Sequence, residues 1–275
     1  MRHSPTHTSL LVAMRRERLQ SGFTGNELAA KLGWSQSKVS KIETGRTKPS
    51  PGDVAEWFAA CLVTGDALQQ HIDQARAIQV EATDWGPEGF DADQRHYQEL
   101  ESAASSIRIY QPEVIPGLFQ TADYARRLLT MLDRFDTLEI AARATARLDR
   151  QSVLYDTSKH VEAVVTEAAL RWRPGPIPIM RAQLDRLVSL STLPSVRIGV
   201  LPWERSGNTL PGNAFVLFTL PEEKVITVET YTAEVSISNA SGVTEYERVY
   251  AGHRDASLFG DQAAEFIQRV AKDFR

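Results

Sequence analysis

The chain has 275 residues, of which 42% are hydrophobic and 24% are charged, a composition typical of a globular protein with room for two domains. Its one cysteine, Cys61, excludes an intrachain disulfide and a cysteine-cluster zinc site, and no apolar run approaches the roughly eighteen residues of a membrane span. Residues 1–9 lack the apolar core of a secretory signal, so we expect a cytoplasmic protein with no membrane partner. Charge is segregated, because residues 1–52 carry a net +6 and the remaining residues −10, within a total of −4. A basic head on an acidic body favours phosphate binding at one end only.

The N-terminal part predicts five helices, of which the second and third form a helix-turn-helix. Thr24 is a natural N-cap and Glu27 completes its capping box, while Gly33 can end the helix in a left-handed conformation and Ser35 can cap the next helix. The other three helices are predicted at residues 10–20, 51–60 and 65–82. This combination indicates the motif that places one helix in the DNA major groove. A helical hairpin without a nucleic-acid role is the alternative.

The third helix can be divided into an inner and an outer face. With Val39 and Ile42 turned inward, a step of 100° per residue leaves four side chains outward: Ser37, Ser40, Lys41 and Thr44. Gln36 lies on the flank, near the end of the helix that would enter the groove first. Glutamine can bind adenine with two hydrogen bonds, lysine can donate to guanine, and serine can serve either base.

The run Leu32 to Pro49 resembles the XRE, or lambdoid-repressor, helix-turn-helix family, above all in Ser35-Gln36 and in Val39 to Gly45. The resemblance implies an all-α, lambda-repressor-like DNA-binding domain over residues 1–82. It implies base reading by Gln36, Ser37 and Lys41. It implies DNA backbone contacts by Thr24, Gly25, Asn26, Lys38, Thr44, Arg46 and Lys48. It also implies a salt bridge between Arg18 and Glu43 beneath the recognition helix, with two independent surface charges as the alternative.

Residues 83–93 are rich in Gly, Pro and acidic residues without a period, and we interpret them as a linker. Residues 94–275 read as an α+β domain. Its predicted helices cover residues 94–105, 120–132, 138–155, 180–191, 246–256 and 261–274. Its predicted strands cover residues 107–110, 161–166, 196–201, 214–220 and 225–231.

The segment Ile115 to Arg126, IPGLFQTADYAR, resembles the "PGLLQT-x-x-YAR" signature of a class of actinobacterial regulators. Later landmarks that carry the same resemblance are Arg150-Gln151, Glu167 to Leu170, Gln183-Leu184 and Val200 to Pro202. The resemblance implies an XRE head followed by a C-terminal domain without assigned biochemistry. Some members of the class are antitoxin-like regulators accompanied by a small partner protein.

Nothing in residues 94–275 predicts an enzyme, a metal site or a cofactor. His160, Glu167 and His253 are scattered, and the sequence has neither an HExxH motif nor a G-x-S-x-G elbow. A ligand pocket lined by Trp172, Trp203 and Tyr231 is one interpretation, and three core aromatic residues are the other. We therefore expect a sequence-specific DNA-binding transcriptional regulator that forms a homodimer and whose C-terminal domain receives a partner or a small molecule. An antitoxin-like protein that sequesters a small partner protein and regulates its own synthesis is the alternative.

Overall fold

The computed structural model describes residues 5–78, 80–84, 89–133, 139–205, 209–230 and 233–274. The chain divides into two compact units, residues 1–81 and residues 82–275. The first is all-helical and the second is α+β, which confirms the predicted fold class. None of the helices in these ranges is long and apolar enough to cross a membrane.

Five helices form the N-terminal unit, and their apolar faces meet in one core. The helices are α1 (Pro5–Gln20), α2 (Gly25–Leu32), α3 (Gln36–Glu43), α4 (Pro51–Ala60) and α5 (Gly65–Ile78). Trp57 is fully buried at the centre of this core, and its indole N–H donates to the carbonyl oxygen of Met14 over 3.0 Å. Helix α1 begins five residues earlier than the sequence predicts, at Pro5, because proline is well suited to a first helical turn.

A mixed sheet organises the second unit. Its strands are β1 (Val80–Asp84), β2 (Ser106–Gln111), β3 (His160–Thr166), β4 (Val196–Leu201), β5 (Phe215–Thr219), β6 (Lys224–Glu229) and β7 (Ala233–Ile237). The strand order is β1-β7-β6-β5-β2-β3-β4. Strands β2, β3 and β4 are parallel, with Ile109 opposite Ala163, and β5, β6 and β7 pair antiparallel. The six strands from β2 onward all come from residues after 105.

Helices cover both faces of this sheet, so its central strands are apolar on both sides. One face packs against α6 (Gly89–Ala103), α7 (Ala122–Leu132), α9 (Glu167–Arg171), α10 (Ile177–Leu190) and α12 (Asp261–Asp273). The other face packs against α11 (Ala240–Asp255), whose Tyr250 is buried against Phe215 and Leu217. Helix α8 (Ile140–Asp149) packs beside α7 on the first face.

Several elements differ from the sequence prediction. Helix α5 ends at Ile78 and not at residue 82, because β1 follows it, α11 begins at Ala240 and not at residue 246, and α9 was not predicted. The helix expected over 138–155 ends at Asp149, and a 3₁₀ helix, Arg150–Tyr155, follows. Residues three apart share a face in a 3₁₀ helix, which buries Gln151 and Leu154 together. Strand β7 was not predicted, and the expected linker 83–93 contains the end of β1 and the start of α6. Residues 85–88 of that linker lie outside the described residues.

Candidate nucleic-acid interface

Local hydrogen bonds fix the two helices of the helix-turn-helix. The Thr24 hydroxyl accepts from the backbone N–H of Glu27 over 3.2 Å, and the Glu27 carboxylate accepts from the backbone N–H of Thr24 over 2.8 Å. The backbone N–H and the hydroxyl of Thr24 both donate to the Glu27 carboxylate, and these two hydrogen bonds lower the pKa of Glu27. Gly33 ends α2 with φ of 68°, a conformation that costs glycine little, and Ser35 caps α3. The short turn between the helices is therefore built from residues suited to each position.

The outer face of α3 is open at its N-terminal turn. Val39 and Ile42 are buried beneath it, whereas Gln36 and Ser37 are exposed. Lys41 lies one turn further on and is half-buried. The three predicted base-reading residues therefore lie on the part of α3 that is not packed into the core, although their exposure differs.

The predicted backbone contacts lie at two places. Thr24, Gly25 and Asn26 surround the N-terminus of α2, an end of a helix that favours an anion, although the N–H of Thr24 itself donates to Glu27. Arg46 is exposed and Lys48 half-buried in the turn after α3. Thr44, at the end of α3, is exposed, and its hydroxyl donates to the carbonyl oxygen of Ser40 over 2.8 Å.

Lys38 differs from the other residues predicted to contact the DNA backbone, because its ammonium group forms an ion pair with another side chain of the protein. Its Nζ lies 2.6 Å from Oδ1 of Asp53 and 3.7 Å from the centre of the Trp34 ring. Burial acts to raise the pKa of Asp53, but hydrogen bonds from Lys38 and Ser50 outweigh it, and the pKa lies below its usual value. Since Asp53 also belongs to the capping box of α4, Lys38 ties α3 to α4. This geometry favours a bracing role over the predicted contact with phosphate.

Arg18 and Glu43 form the ion pair that the family resemblance implies. The Arg18 Nε lies 2.6 Å from Glu43 Oε1, and its Nη2 lies 3.1 Å from Oε2. The remaining Nη1 donates to the carbonyl oxygen of Phe23 over 2.6 Å. Arg18 is buried and Glu43 is the last residue of α3, so the pair joins α1 to the end of the recognition helix.

Of the three aromatic residues predicted to line a pocket or to pack in the core, the two that the structure describes lie at the surface. Trp172 is 41% exposed and Trp203 is 65% exposed. Both follow the ends of their elements, α9 and β4, where the chain turns at the surface. The backbone N–H of Trp203 donates to Glu167 over 3.1 Å, and the Arg171 guanidinium lies 5.5 Å from its ring centre. Tyr231 lies outside the described residues.

Buried glutamines, which sequence reasoning missed as site residues, hold the segment that carries the second resemblance. The carboxamide of Gln183 donates to the carbonyl oxygen of Phe119 over 2.8 Å and accepts from the N–H of Thr121 over 2.7 Å. Gln120 donates to the carbonyl oxygen of Ile115 over 2.7 Å, and Gln151 donates to the carbonyl oxygen of Gln120 over 2.7 Å. Gln151 and Gln183, which carry the same family resemblance as the segment Ile115 to Arg126, thus form hydrogen bonds with that segment.

This segment forms one wall of a cavity of about 140 Å³ in the second unit. The cavity lies over strands β2, β5 and β6 and is bounded by α6, α7 and α8. Its polar lining comprises Tyr97, Glu101, Gln111, Gln120, Arg147, Arg150, Thr227 and Glu229. Within the described ranges, no group of three or more His, Cys, Asp or Glu side chains is arranged to hold a metal ion.

The fold and the α2–α3 geometry define a helix-turn-helix protein with an α+β C-terminal unit. In agreement, residues 10–70 match the family described as helix-turn-helix domain, which supports a DNA-binding regulator. Residues 94–269 match the family described as domain of unknown function (DUF5753), and the chain belongs to that family. No curated protein matches the chain in sequence.

Two solved structures are similar over much of the chain. A phospholipase D family member, Nuc from Salmonella typhimurium, is 10% identical with a TM-score of 0.35, covering 66% of this chain and 97% of Nuc. TrmBL2, an archaeal chromatin protein described as showing a novel mode of DNA binding, is 12% identical with a TM-score of 0.33, covering 82% of this chain and 67% of TrmBL2. TM-scores this low establish neither a shared fold nor a shared function.

Proposed function

We propose that the protein is a sequence-specific DNA-binding transcriptional regulator of the XRE type, located in the cytoplasm. The observation that carries the proposal is the two-sided character of α3. Its inner side is fixed by Val39, Ile42 and the Arg18–Glu43 pair, while Gln36 and Ser37 remain exposed at its first turn. A rigid helix with polar side chains at an open N-terminal turn is the arrangement that reads base edges in the major groove. The proposal includes no catalytic step.

Replacing Gln36 or Ser37 by alanine should weaken operator binding by about 1–3 kcal/mol for each base edge that the side chain reads, while binding to random DNA changes little. The operator is first selected from a random DNA library with the full-length protein, and affinities are then measured by fluorescence anisotropy at fixed salt. Gln70→Ala, which alters an exposed glutamine on α5, serves as the matched control. Equal weakening on operator and random DNA would rule out base reading by these residues.

The regulator should act as a two-fold homodimer, because one helix-turn-helix reads only half of a typical operator. Two recognition helices of a dimer meet major grooves about 34–36 Å apart, which predicts a palindromic operator. We expect the second unit to hold the dimer together. Strands β5 and β6 lie inside the sheet, so they cannot pair with another copy, and the contact must use an edge strand, β1 or β4, or the helices or the loops.

Sedimentation of the full-length protein and of residues 1–78 and 80–275 separately tests this assignment. The division after residue 78 keeps β1 with its sheet. We expect the full-length protein and residues 80–275 to be dimeric at tens of micromolar and residues 1–78 to be monomeric. A monomeric C-terminal piece beside a dimeric N-terminal piece would assign the interface to the head instead.

The alternative is an antitoxin-like protein whose main task is to sequester a small partner protein. The observation that favours it is the exposure of large apolar side chains in the second unit, such as Trp203 and Leu210, the latter 87% exposed. A small protein that co-purifies with the chain from its native host in a fixed ratio, and that releases DNA when it binds, would favour this alternative.

A further inference from the structure

The cavity in the second unit has the size and walls of a site for a small molecule. Its volume of about 140 Å³ is close to that of a dry engineered cavity, about 150 Å³, that holds benzene. Its apolar walls include Ile107, Ile109, Val114, Leu118, Leu128 and Val216. An occupant would therefore be a compact molecule with an apolar body.

Arg147 supplies a positive charge to this cavity that no carboxylate of the described residues neutralises at close range. Its Nη1 donates to the Gln120 carboxamide oxygen over 3.1 Å, and among the described residues no carboxylate oxygen lies within 4.0 Å. Burial lowers the pKa of Arg147. A guanidinium in this position has donors left for a ligand.

The neighbouring Arg150, unlike Arg147, is hydrogen-bonded to a carboxylate. Its guanidinium forms two hydrogen bonds to the Glu101 carboxylate, at 2.8 and 2.5 Å. Burial acts to lower the pKa of Arg150, but these bonds to Glu101 outweigh it and raise the pKa. Arg150 is thus paired directly with a carboxylate, whereas among the described residues the carboxylates that act on Arg147, Glu229 and Glu101, do so from beyond 4.0 Å.

Gln111 adds a second unmatched polar group. Its Oε1 is buried and has no hydrogen-bond partner among the described residues, although nearly all buried polar atoms in folded proteins have one. Because Gln111 also lines the cavity, a ligand that carries a hydroxyl or amine hydrogen could satisfy this oxygen. The cavity therefore combines a cation, a buried acceptor and apolar walls.

We propose that this cavity binds a small organic monocarboxylate, with the carboxylate on the Arg147 guanidinium and the apolar body against Ile107, Ile109 and Leu128. Only one part of this proposal rests on the regulator function proposed above, namely that the bound carboxylate is the effector of the regulator. Glu101 and Glu229 also line the cavity, and their negative charge favours a monoanion over a dianion such as phosphate. A planar carboxylate also matches the two parallel donors that a guanidinium presents.

Isothermal titration calorimetry of the full-length protein with sodium benzoate and sodium hexanoate tests the site. We expect saturable 1:1 binding of at least one of these carboxylates in the millimolar range or tighter. Benzamide, the neutral isostere of benzoate, and inorganic phosphate should each bind at least tenfold more weakly than that carboxylate. A cavity that holds only water gives no saturable heat with either carboxylate, and that outcome would overturn the proposal.

Two variants locate the binding. Arg147→Gln should weaken carboxylate binding at least tenfold, whereas Arg126→Gln, at an exposed arginine on α7 that pairs with Asp123, should leave it unchanged. Ala214→Leu reduces the volume of the cavity without changing its charge and should also weaken carboxylate binding. This second variant tests the site even if the Arg147 variant folds poorly. Carboxylate binding that survives Ala214→Leu, or Arg147→Gln in a folded protein, would place the ligand elsewhere.

Operator affinity measured on the same preparations separates the two proposals. Carboxylate binding without operator binding would leave the cavity site intact and refute the regulator. Operator binding without carboxylate binding would refute the cavity site alone.

Discussion

Replacing Arg18 by methionine is expected to destabilise the N-terminal unit by about 2–4 kcal/mol, near the cost of breaking a buried ion pair by removing one partner. The change leaves the Glu43 carboxylate, whose side chain is only 16% exposed, without its two guanidinium hydrogen bonds. The carbonyl oxygen of Phe23 loses a donor at the same time. Because Glu43 ends α3, the recognition helix should loosen first, and operator affinity should fall with stability.

The measurement is urea denaturation of the full-length chain, with amide hydrogen exchange in α3 as the report on the N-terminal unit. Arg16→Met is the matched control, because Arg16 is 59% exposed and its pair with Glu17 should contribute no more than about 0.5 kcal/mol. The double variant Arg18→Met, Glu43→Met should be less destabilised than the sum of the single variants, since it leaves no uncompensated charge. An Arg18 variant as stable as the Arg16 variant would show that the pair is dispensable.

Features of the helix-turn-helix that depend on neighbours in sequence could be predicted from the residues themselves. Contacts between distant residues could not, and the Arg18–Glu43 pair was expected only because the family resemblance implies it. The capping box of Thr24 and Glu27 spans three residues, and the left-handed Gly33 needs only its own backbone. By contrast, Lys38 finds its partner Asp53 fifteen residues away, beyond the reach of helical periodicity. The outer face of α3 can therefore be predicted from the 100° turn per residue, whereas the ion pair between Lys38 and Asp53 cannot.

In the second unit, too, some features could not be predicted from the sequence. Strand β7 was missed because its buried residue is Glu234, only 2% exposed, whereas the neighbouring Val235 is half-buried. A rule that places apolar residues in the core cannot recognise this strand, because the residue that points into the core is a glutamate. Likewise, no periodicity of the sequence indicates the cavity, which lies under a segment that Gln183 holds from more than sixty residues away.

Replacing Gln183 by methionine is expected to destabilise the second unit by about 2–4 kcal/mol. A buried backbone carbonyl loses a partner, which costs about 1–3 kcal/mol, and a half-buried backbone N–H loses one at a smaller cost. The side chain is fully buried and of similar size to methionine, so the change removes hydrogen bonds with little change in volume. The groups left unmatched are the carbonyl oxygen of Phe119 and the N–H of Thr121, the N-cap of α7. Thermal unfolding of the full-length chain, followed by hydrogen exchange in each unit, measures the effect.

Gln98→Met, at an exposed glutamine on α6, controls for the chemical change and should shift stability by less than about 0.5 kcal/mol. Gln183→Glu keeps an acceptor for Thr121 but loses the donor to Phe119, and it buries a carboxylate, so it should be destabilising as well. In both Gln183 variants, carboxylate binding should weaken because Val114, Leu118 and Gln120 line the cavity. The exchange rates of α3 should stay unchanged, since its core residues belong to the other unit. Stability equal to that of Gln98→Met would mean that the 119–121 segment keeps its place without Gln183, held by its apolar contacts and by the hydrogen bonds of Gln120 and Gln151.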